Sequence, residues 1–500
     1  MKKSLGLLLA SITLFGVFAT GCQQSTPKET TATAAKETAA AGDASADETD
    51  AEETAAESTV AMEERSNIDL TFLDFVPSPQ REDYFTKMMD GYTSERPYIS
   101  MEYGSVPYEE AVAKLTTLAA AQDLPDVVNF HSSVKWQFAP SGWLVPLDKY
   151  IDAESGYKDS FVEAVARFQW DEETNGLGAI YAMPDGIMTN GIFIRKDWVE
   201  EAGLDLQELR ADWTWETYID TVYKLTDVEN GRYGISYRGG SAAFDRIQQY
   251  LVANTGGYDF DAEGNCLWYT PENVERVQTF IDMYLDGCAP KDSVNWGFAE
   301  MVDNFTGGLT ATLNNDVEVV ATCLERLEDD QWTVMPLPKS SIDGNIPTYA
   351  GSAYNYGISA FSDNPDDAWG FIEFISRPDN NVEYCKLLTM MPIRKNVDDP
   401  FFGEDGPVYG FMTQLQDPGF TQQPAYGQYL DVATFRENAH VEWQKVLMGE
   451  RTVDEVLKEY DEEITEIAKK WLADNPDKEL GKLLTFGGEI PYTGPSGENE

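Results

Sequence analysis

Two histidines, His131 and His440, and five cysteines are the whole stock of soft metal ligands and thiol nucleophiles in this 500-residue chain. Two imidazoles so far apart do not outline a histidine-based metal site. The cysteines stand at 22, 266, 288, 323 and 385 with no C-x-x-C among them, so neither a zinc site nor a disulfide framework is signalled. A single bridge such as Cys266–Cys288 and a set of free buried thiols both fit that spacing. The stretch DFDAEGN (259–265) imitates the start of a calcium loop, but its twelfth position is Thr270 rather than Glu, so it reads as a hairpin turn. No HExxH, nucleophile elbow, P-loop or dinucleotide fingerprint is present, and no cofactor is called for. With 87 acidic residues, one catalytic chemistry stays open: a pair of carboxylates about 5–10 Å apart across a cleft, as in glycoside hydrolysis. The chemistry that an aromatic-rich chain suits otherwise is non-covalent, with ring faces for the C–H surfaces of a sugar and a few fixed polar groups for its hydroxyls.

The remaining reactive residue is Cys22. Met1-Lys2-Lys3 makes a positive start, and residues 4–20 form an apolar run of about 17 residues, near the lower limit for spanning a bilayer. Ala19-Thr20-Gly21-Cys22 resembles the lipobox of bacterial lipoproteins, in which the cysteine is acylated and the preceding peptide removed. Ala19 stands where that motif usually has Leu or Val; the alternative is an ordinary signal peptide cut nearby. Two or three acyl chains anchor firmly where one anchors only marginally. Residues 1–21 are thus expected to be a signal peptide and Cys22 the lipid attachment point. Residues 22–66, rich in Ala, Thr, Glu, Asp and Ser, are expected to be a disordered acidic linker, with a reach of about 35–40 Å. No later segment is long and apolar enough to cross a membrane, which puts the body outside the cytoplasm, anchored to the outer face of the cell membrane.

The formal charge is −51. The linker carries −8 of it and the signal +2, which leaves about −45 on the body. A nucleic-acid reader needs the opposite sign, and anionic substrates are disfavoured at long range. About 435 residues remain for the body, too many for one ordinary core, so two or more domains are expected.

The elements that must position any site alternate between strand and helix patterns. IDLTFLDF (68–75) puts Ile68, Leu70 and Phe72 on one side, as a half-buried strand does. EEAVAKLTTLAAAQ (109–122) spaces Val112, Leu115, Leu118 and Ala119 as a helix, and DVVNF (126–130) reads as a buried strand. TWETYIDTVYKL (214–225) opens on a Thr cap. TPENVERVQTFIDMYLDG (270–287) has Pro271 at its first position and Gly287 just past its end. NPDDAWGFIEFI (364–375) repeats the cap-then-Pro opening, and Thr452 with Glu455 forms a capping box before a long amphipathic helix to Leu472. This alternation predicts an α/β architecture with largely parallel sheets.

Taken in order, LPDVVNFHSSVKWQFAPSGWLVPLDKYI (124–151), IYAMPDGIMTNGIFIRKDWVEEAGLD (180–205), GGYDFDAEGNCLWYTPENVERVQTFIDMY (256–284), DDQWTVMPLPKS (329–340), AGSAYNYGISAFSDNPDDAWGFIEFIS (350–376), MMPIRKN (390–396) and GERTVDEVLKEYDEEI (449–464) resemble the extracellular solute-binding proteins of ABC importers, in the branch of maltose-binding protein. The resemblance covers roughly 68–472. It implies a two-lobe periplasmic-binding-protein-like α/β fold with several crossings between lobes and a ligand cleft. Lobe one would be 67–186 plus 308–349, lobe two 187–307 plus 350–472, and 473–500 a C-terminal tail outside the match. It implies lobe-one contacts at Phe75, Asn129, His131, Ser132 and Trp136, and crossing residues Asp185 and Asn190. Tyr237, Trp296 and Ser352 are further candidates. At 311–320, Asn315 and Asp316 replace the family's Gly-x-Trp-like contact, and Ile194-Arg195-Lys196 replaces its Tyr-Asn-Lys. The function implied is that of a monomeric, lipid-tethered binding component that captures a solute, an oligosaccharide first and a peptide or polyol next, and delivers it to ABC permease subunits. A surface glycoside hydrolase is the competing reading.

Overall fold

A computed structural model describes residues 67–170, 177–348, 354–422 and 432–480, with 351, 430, 484–485 and 488–489. The signal, Cys22, the linker, Ser352 and most of the tail lie outside the described residues.

The first sheet takes the order β2-β1-β3-β10-β4. Its members are β1 (Ile68–Asp74), β2 (Ile99–Ser105), β3 (Val127–His131), β4 (Met183–Pro184) and β10 (Tyr354–Ile358). The β1 strand pairs in parallel with β2 and β3, while β10 runs antiparallel to β3 and β4. The second sheet takes the order β6-β7-β5-β8, from β5 (Asn190–Arg195), β6 (Tyr233–Ile235), β7 (Thr310–Asp316) and β8 (Trp332–Met335). Here β5 is antiparallel to β7 and β8, and only β6–β7 is parallel. A third, small sheet joins β9 (Ile346–Thr348) to β11 (Phe420–Gln422) in parallel, then β12 (Leu484–Thr485) and β13 (Gly488–Glu489). The sheets are therefore mixed rather than largely parallel. A strand that enters a sheet from the other lobe is not bound by the crossover rule that keeps successive βαβ strands parallel, and β5 and β10 both enter that way.

The same pairing revises the expected division of the lobes. The segment 308–349 was expected in lobe one, yet β7 and β8 lie in the second sheet; β10, expected in lobe two, is inserted between β3 and β4 of the first. The helices Pro365–Ile375 and Pro378–Leu387 that follow β10 pack on helix Pro79–Glu95 of the first lobe. Helices Ala433–Leu447 and Val453–Asp474 return to the second lobe, against Ala243–Val252 and Pro271–Leu285.

Local chemistry explains the elements. Ser78 caps helix Pro79–Glu95 by accepting from the Arg81 amide, with Pro79 at the first turn. Thr214 does the same for Trp215–Lys224, and Thr452 with Glu455 completes a capping box. Along β5, Ile192 and Ile194 pack with the second-lobe helices while Phe193 faces the other core, in the two-residue period of a strand buried on both faces. At 259–265, Asp261 accepts from the Glu263 and Asn265 amides and Phe260 bridges Cys266, closing a hairpin. All four body cysteines are buried and free.

Candidate functional site

The crossings between sheets come together at residues 185–190. Between β4 and β5, Ile187 exchanges backbone hydrogen bonds with Met391 (2.8 and 3.0 Å) and Met188 with Gly351 (2.8 and 3.2 Å). Three separate passages of the chain are thus laced side by side. Short ladders of this kind, at element termini, are where a two-lobe protein absorbs the φ/ψ change of closure. Gly186 is needed there: a Cβ on it would sit 2.8 Å from Cε and 3.0 Å from Cβ of Met390.

On the first-lobe side, β1 and β3 end next to the start of β10. The Phe75 and His131 rings each lie 6.1 Å from that of Tyr354, which stands opposite His131 in the ladder. Burial pulls His131 below its ordinary pKa, so its imidazole is neutral at pH 7 and able both to donate and to accept. Ser132 opens the short 3-10 turn that follows, and Trp136 lies in the next turn with Lys135 Nζ 5.2 Å from its ring.

Behind this edge lies a buried polar chain. Arg81, 2% exposed, donates to Asp74, to Asn129 Oδ1 (3.1 Å) and to the Tyr384 hydroxyl. The Tyr384 hydroxyl in turn donates to Asp185 Oδ2 at 2.8 Å. Asn129 also donates to the Asn355 carbonyl (3.3 Å), and Asn381 donates to the Asp185 carbonyl (2.8 Å). Asn129 and Asp185, expected among the ligand contacts, are fully buried in this chain and brace the strand ends from inside. Burial raises Asp185 to about 7, against the pull of Arg81 and Tyr384.

On the second-lobe side, Asn190 opens β5 opposite Asp316 at the end of β7, next to Asn315. Arg246, from helix Ala243–Val252, donates to the Asn314 carbonyl (3.1 Å) and to Asn315 Oδ1 (3.1 Å). Gln249 accepts from Asn314 Nδ2 at 3.0 Å. Burial lowers Arg246 to about 10, with the neighbouring Arg238 adding to the fall; burial raises Asp316 and Arg246 opposes that rise. Among the described residues neither guanidinium has a carboxylate within ion-pairing distance, and the buried Asn315 Nδ2 has no acceptor.

The structure therefore brings His131 and Ser132 to one edge and Asn190 and Asp316 to the other, while Phe75 and Asn315, expected among the ligand contacts, are buried behind those edges (1% and 0% exposed), Asn315 holding the Arg246 fork. Tyr237 and Trp296 go elsewhere. Tyr237 packs against Phe280 and Tyr284 (6.0 and 5.7 Å) inside the second lobe. Trp296 is buried with its indole on Asp292 (3.3 Å). An aromatic at a strand end is held in the core when helices cover both sides of it, which chain order does not disclose. Arg81, Tyr354, Arg246 and Arg238 were not singled out from sequence. The signal available for the three arginines was their sign, as cations in a strongly acidic chain; Tyr354 carried no such signal.

Comparison with known proteins agrees with this architecture. The family model for bacterial extracellular solute-binding proteins matches residues 78–382. The erythritol/L-threitol-binding protein of Mycolicibacterium smegmatis is 26% identical over 347 residues, covering 65% of this chain and 70% of that one. The sugar-binding protein MalE of Xanthomonas citri superposes with a TM-score of 0.66 at 20% identity, over 82% of this chain and 100% of that one. A substrate-binding protein of Listeria monocytogenes, solved with cycloalternan, gives 0.62 at 21% identity, over 80% and 99%.

Proposed function

Because the chain belongs to the bacterial extracellular solute-binding protein family, we propose that it is the lipid-anchored receptor of an ABC-type importer, which captures an oligosaccharide between its lobes and delivers it to permease subunits in the membrane. The observation that carries the reading is the pair of strand-end edges set on either side of three laced crossings. One edge offers the half-buried Tyr354 ring and a neutral imidazole, the other the Asn190 amide and the Arg246 guanidinium. Flat faces suit pyranose C–H surfaces, and fixed donors and acceptors suit hydroxyls. Closure about the crossings would bring the two edges onto one solute. Acylation at Cys22 would hold a monomeric receptor at the outer face of the membrane, and the 22–66 linker would let it reach its permease. A polyol is the second reading, favoured by the Mycolicibacterium smegmatis relative, an erythritol/L-threitol-binding protein. The protein binds and releases in this reading, without chemistry.

The test is thermal unfolding of the chain from Ser66 on, one compact unit, against oligosaccharides, sugar acids, polyols and peptides. A ligand at 100 times its Kd stabilises by about 2.7 kcal/mol, a rise of a few degrees. A shift confined to one glycan class supports the receptor. No shift with any sugar, or turnover of a glycan on long incubation, overturns it.

A further inference from the structure

Two half-buried guanidinium groups at the second-lobe edge, Arg238 and Arg246, stand side by side without an anion. In a chain with 87 acidic and 36 basic residues an arginine readily finds a carboxylate. Arg81 takes Asp74, Arg195 takes Asp197, Arg232 takes Glu201, Arg326 takes Asp303 and Arg451 takes Glu459. Arg210 and Arg394, which lack one, stack on Tyr409 and Phe161 instead (5.9 and 3.7 Å). Arg238 and Arg246 have neither kind of partner among the described residues. The carboxylates that act on them are turned to other groups: Asp245 pairs with Arg436 at 3.5 Å, and Asp316 Oδ1 accepts from the Glu318 amide at 3.1 Å.

The N–H groups left over have a definite arrangement. Arg246 spends its Nε and Nη2 edge on the Asn314 carbonyl and Asn315 Oδ1. Among the described residues its Nη1 has no acceptor, and neither has either Nη of Arg238, whose Nε donates to the Ser241 carbonyl (2.7 Å). Asn315 Oδ1 also accepts from the Asp316 amide (3.0 Å), so its oxygen is fixed by two donors. That leaves the fully buried Asn315 Nδ2 as a donor with nothing to accept from it. Three donor groups in excess, two of them charged, call for an anionic acceptor.

We propose that Arg238 and Arg246 form an anion subsite for the carboxylate of an acidic sugar, so that the solute carries a uronic-acid unit. The proposal rests on the receptor reading above. A guanidinium fork receives two carboxylate oxygens at once, and the bonds on its Nε edge hold the Nη1–Nη2 end of Arg246 in one orientation. The chain's large negative charge does not oppose this at contact. Exposed charges beyond about 8 Å are screened at physiological ionic strength, whereas a half-buried guanidinium touching its partner is not.

Calorimetric titration of the Ser66–Glu500 chain tests it, with galacturonic-acid oligomers, sulfated galactose oligomers and neutral galactose oligomers of the same length. Expected is roughly tenfold tighter binding of the uronic acid than of the neutral sugar, the worth of one charge-assisted hydrogen bond. Arg238→Gln and Arg246→Gln should each cut that ratio, and the two together should abolish it. If neutral oligomers bind as tightly as the uronic acid, the subsite is overturned while the receptor reading stands. If the sulfated sugar binds tightest, the anion subsite stands and its assignment to a carboxylate is overturned. If the acid preference survives both substitutions, its assignment to these arginines is overturned. If no sugar of any kind binds, both readings fall. Should Arg246→Gln not fold, Arg238→Gln decides alone, because an unchanged ratio there removes the paired guanidiniums from the site.

Discussion

Arg81, in the first turn of helix Pro79–Glu95, grips Asp74 at the end of β1, Nε to Oδ2 at 3.1 Å and Nη2 to Oδ1 at 2.5 Å, with both side chains sealed from solvent. The pair joins the end of β1 to the start of helix Pro79–Glu95. Through Tyr384 it continues to Asp185, so an unbroken run of buried polar groups links the first-lobe strand ends to the first crossing. A run in which each member satisfies the next is rigid because any displacement leaves a buried group unpaired. Its place under Phe75 and His131 makes it the support on which the first-lobe edge is held.

Asp74→Ala is expected to destabilise the protein by about 3–5 kcal/mol, the usual cost of leaving one member of a buried ion pair alone. Arg81→Met added to Asp74→Leu should recover most of that, because the double change removes both charges. Denaturant unfolding of the two variants measures it, and a double variant as unstable as Asp74→Ala would mean that the loss lies in packing.

Asp185 gives stability a pH dependence of unusual sign. Its folded pKa, about 7, lies above the ordinary carboxylate value of 3.8, so between these limits the folded state holds the proton that the unfolded chain has released. Its contribution is therefore full below about pH 4 and is lost as pH rises through about 7. Each pKa unit is worth about 1.4 kcal/mol. Asp185→Asn, which mimics the protonated form, should gain on the natural protein by several degrees in Tm between pH 5 and 8. Parallel Tm profiles over that range would show that Asp185 is not the group responsible.

The local elements were legible in sequence because their causes are local. The Thr214 and Thr452 caps, the prolines of first turns at Pro271 and Pro365 and the alternation of Ile68, Leu70 and Phe72 all act within a few residues, and each marks a real helix or strand. Pairing was not legible. Nothing in ATLNNDVEVV says that β7 lies beside β5 rather than in the first sheet, since that choice is made by partners more than 100 residues away. The site divides in the same way. His131 and Asn315 stand at strand ends that their own segments define. Tyr384 reaches Arg81 across 303 residues, and Tyr237 looks like an exposed strand-end ring until helix Pro271–Leu285 covers it.

The four cysteines of the body should be silent in the native protein. Each is buried and free, and burial pushes Cys323 up to about 12 and raises Cys266, Cys288 and Cys385 as well. The thiolate is the reactive form. In the chain from Ser66 on, which lacks Cys22, a thiol reagent such as DTNB should therefore find no group within minutes in buffer and four in guanidinium chloride, and a reductant should leave Tm unchanged. Two groups missing from the denatured count would reveal a disulfide.

Gly186→Ala should weaken the crossing. The new Cβ would press on Met390, whose Cβ is itself only 3.0 Å away, so the clash is not relieved by turning the methionine tip alone. Overpacking of this kind costs about 1–3 kcal/mol. Denaturant unfolding reads the loss, and a variant as stable as the natural protein would mean that the laced strands at Ile187–Met391 shift freely.

Arg246 offers the sharpest test of the second-lobe edge. Its fork spans two acceptors, the Asn314 carbonyl and Asn315 Oδ1, each at 3.1 Å. A planar guanidinium can hold both while keeping further N–H groups for a solute, and an ammonium has no such geometry. Arg246→Lys is therefore expected to keep the fold, with a Tm within a few degrees, and to weaken solute binding at least tenfold, about 1.4 kcal/mol. Tyr237→Phe, altered inside the second-lobe core, should leave affinity within about twofold, since a ring that only packs has no hydroxyl contact with solute to lose. Titration of both variants with the glycan that shifts Tm decides the matter. Unchanged affinity in Arg246→Lys, with loss in Tyr237→Phe, would move the second-lobe contact away from the end of β7 and toward the helices that enclose Tyr237.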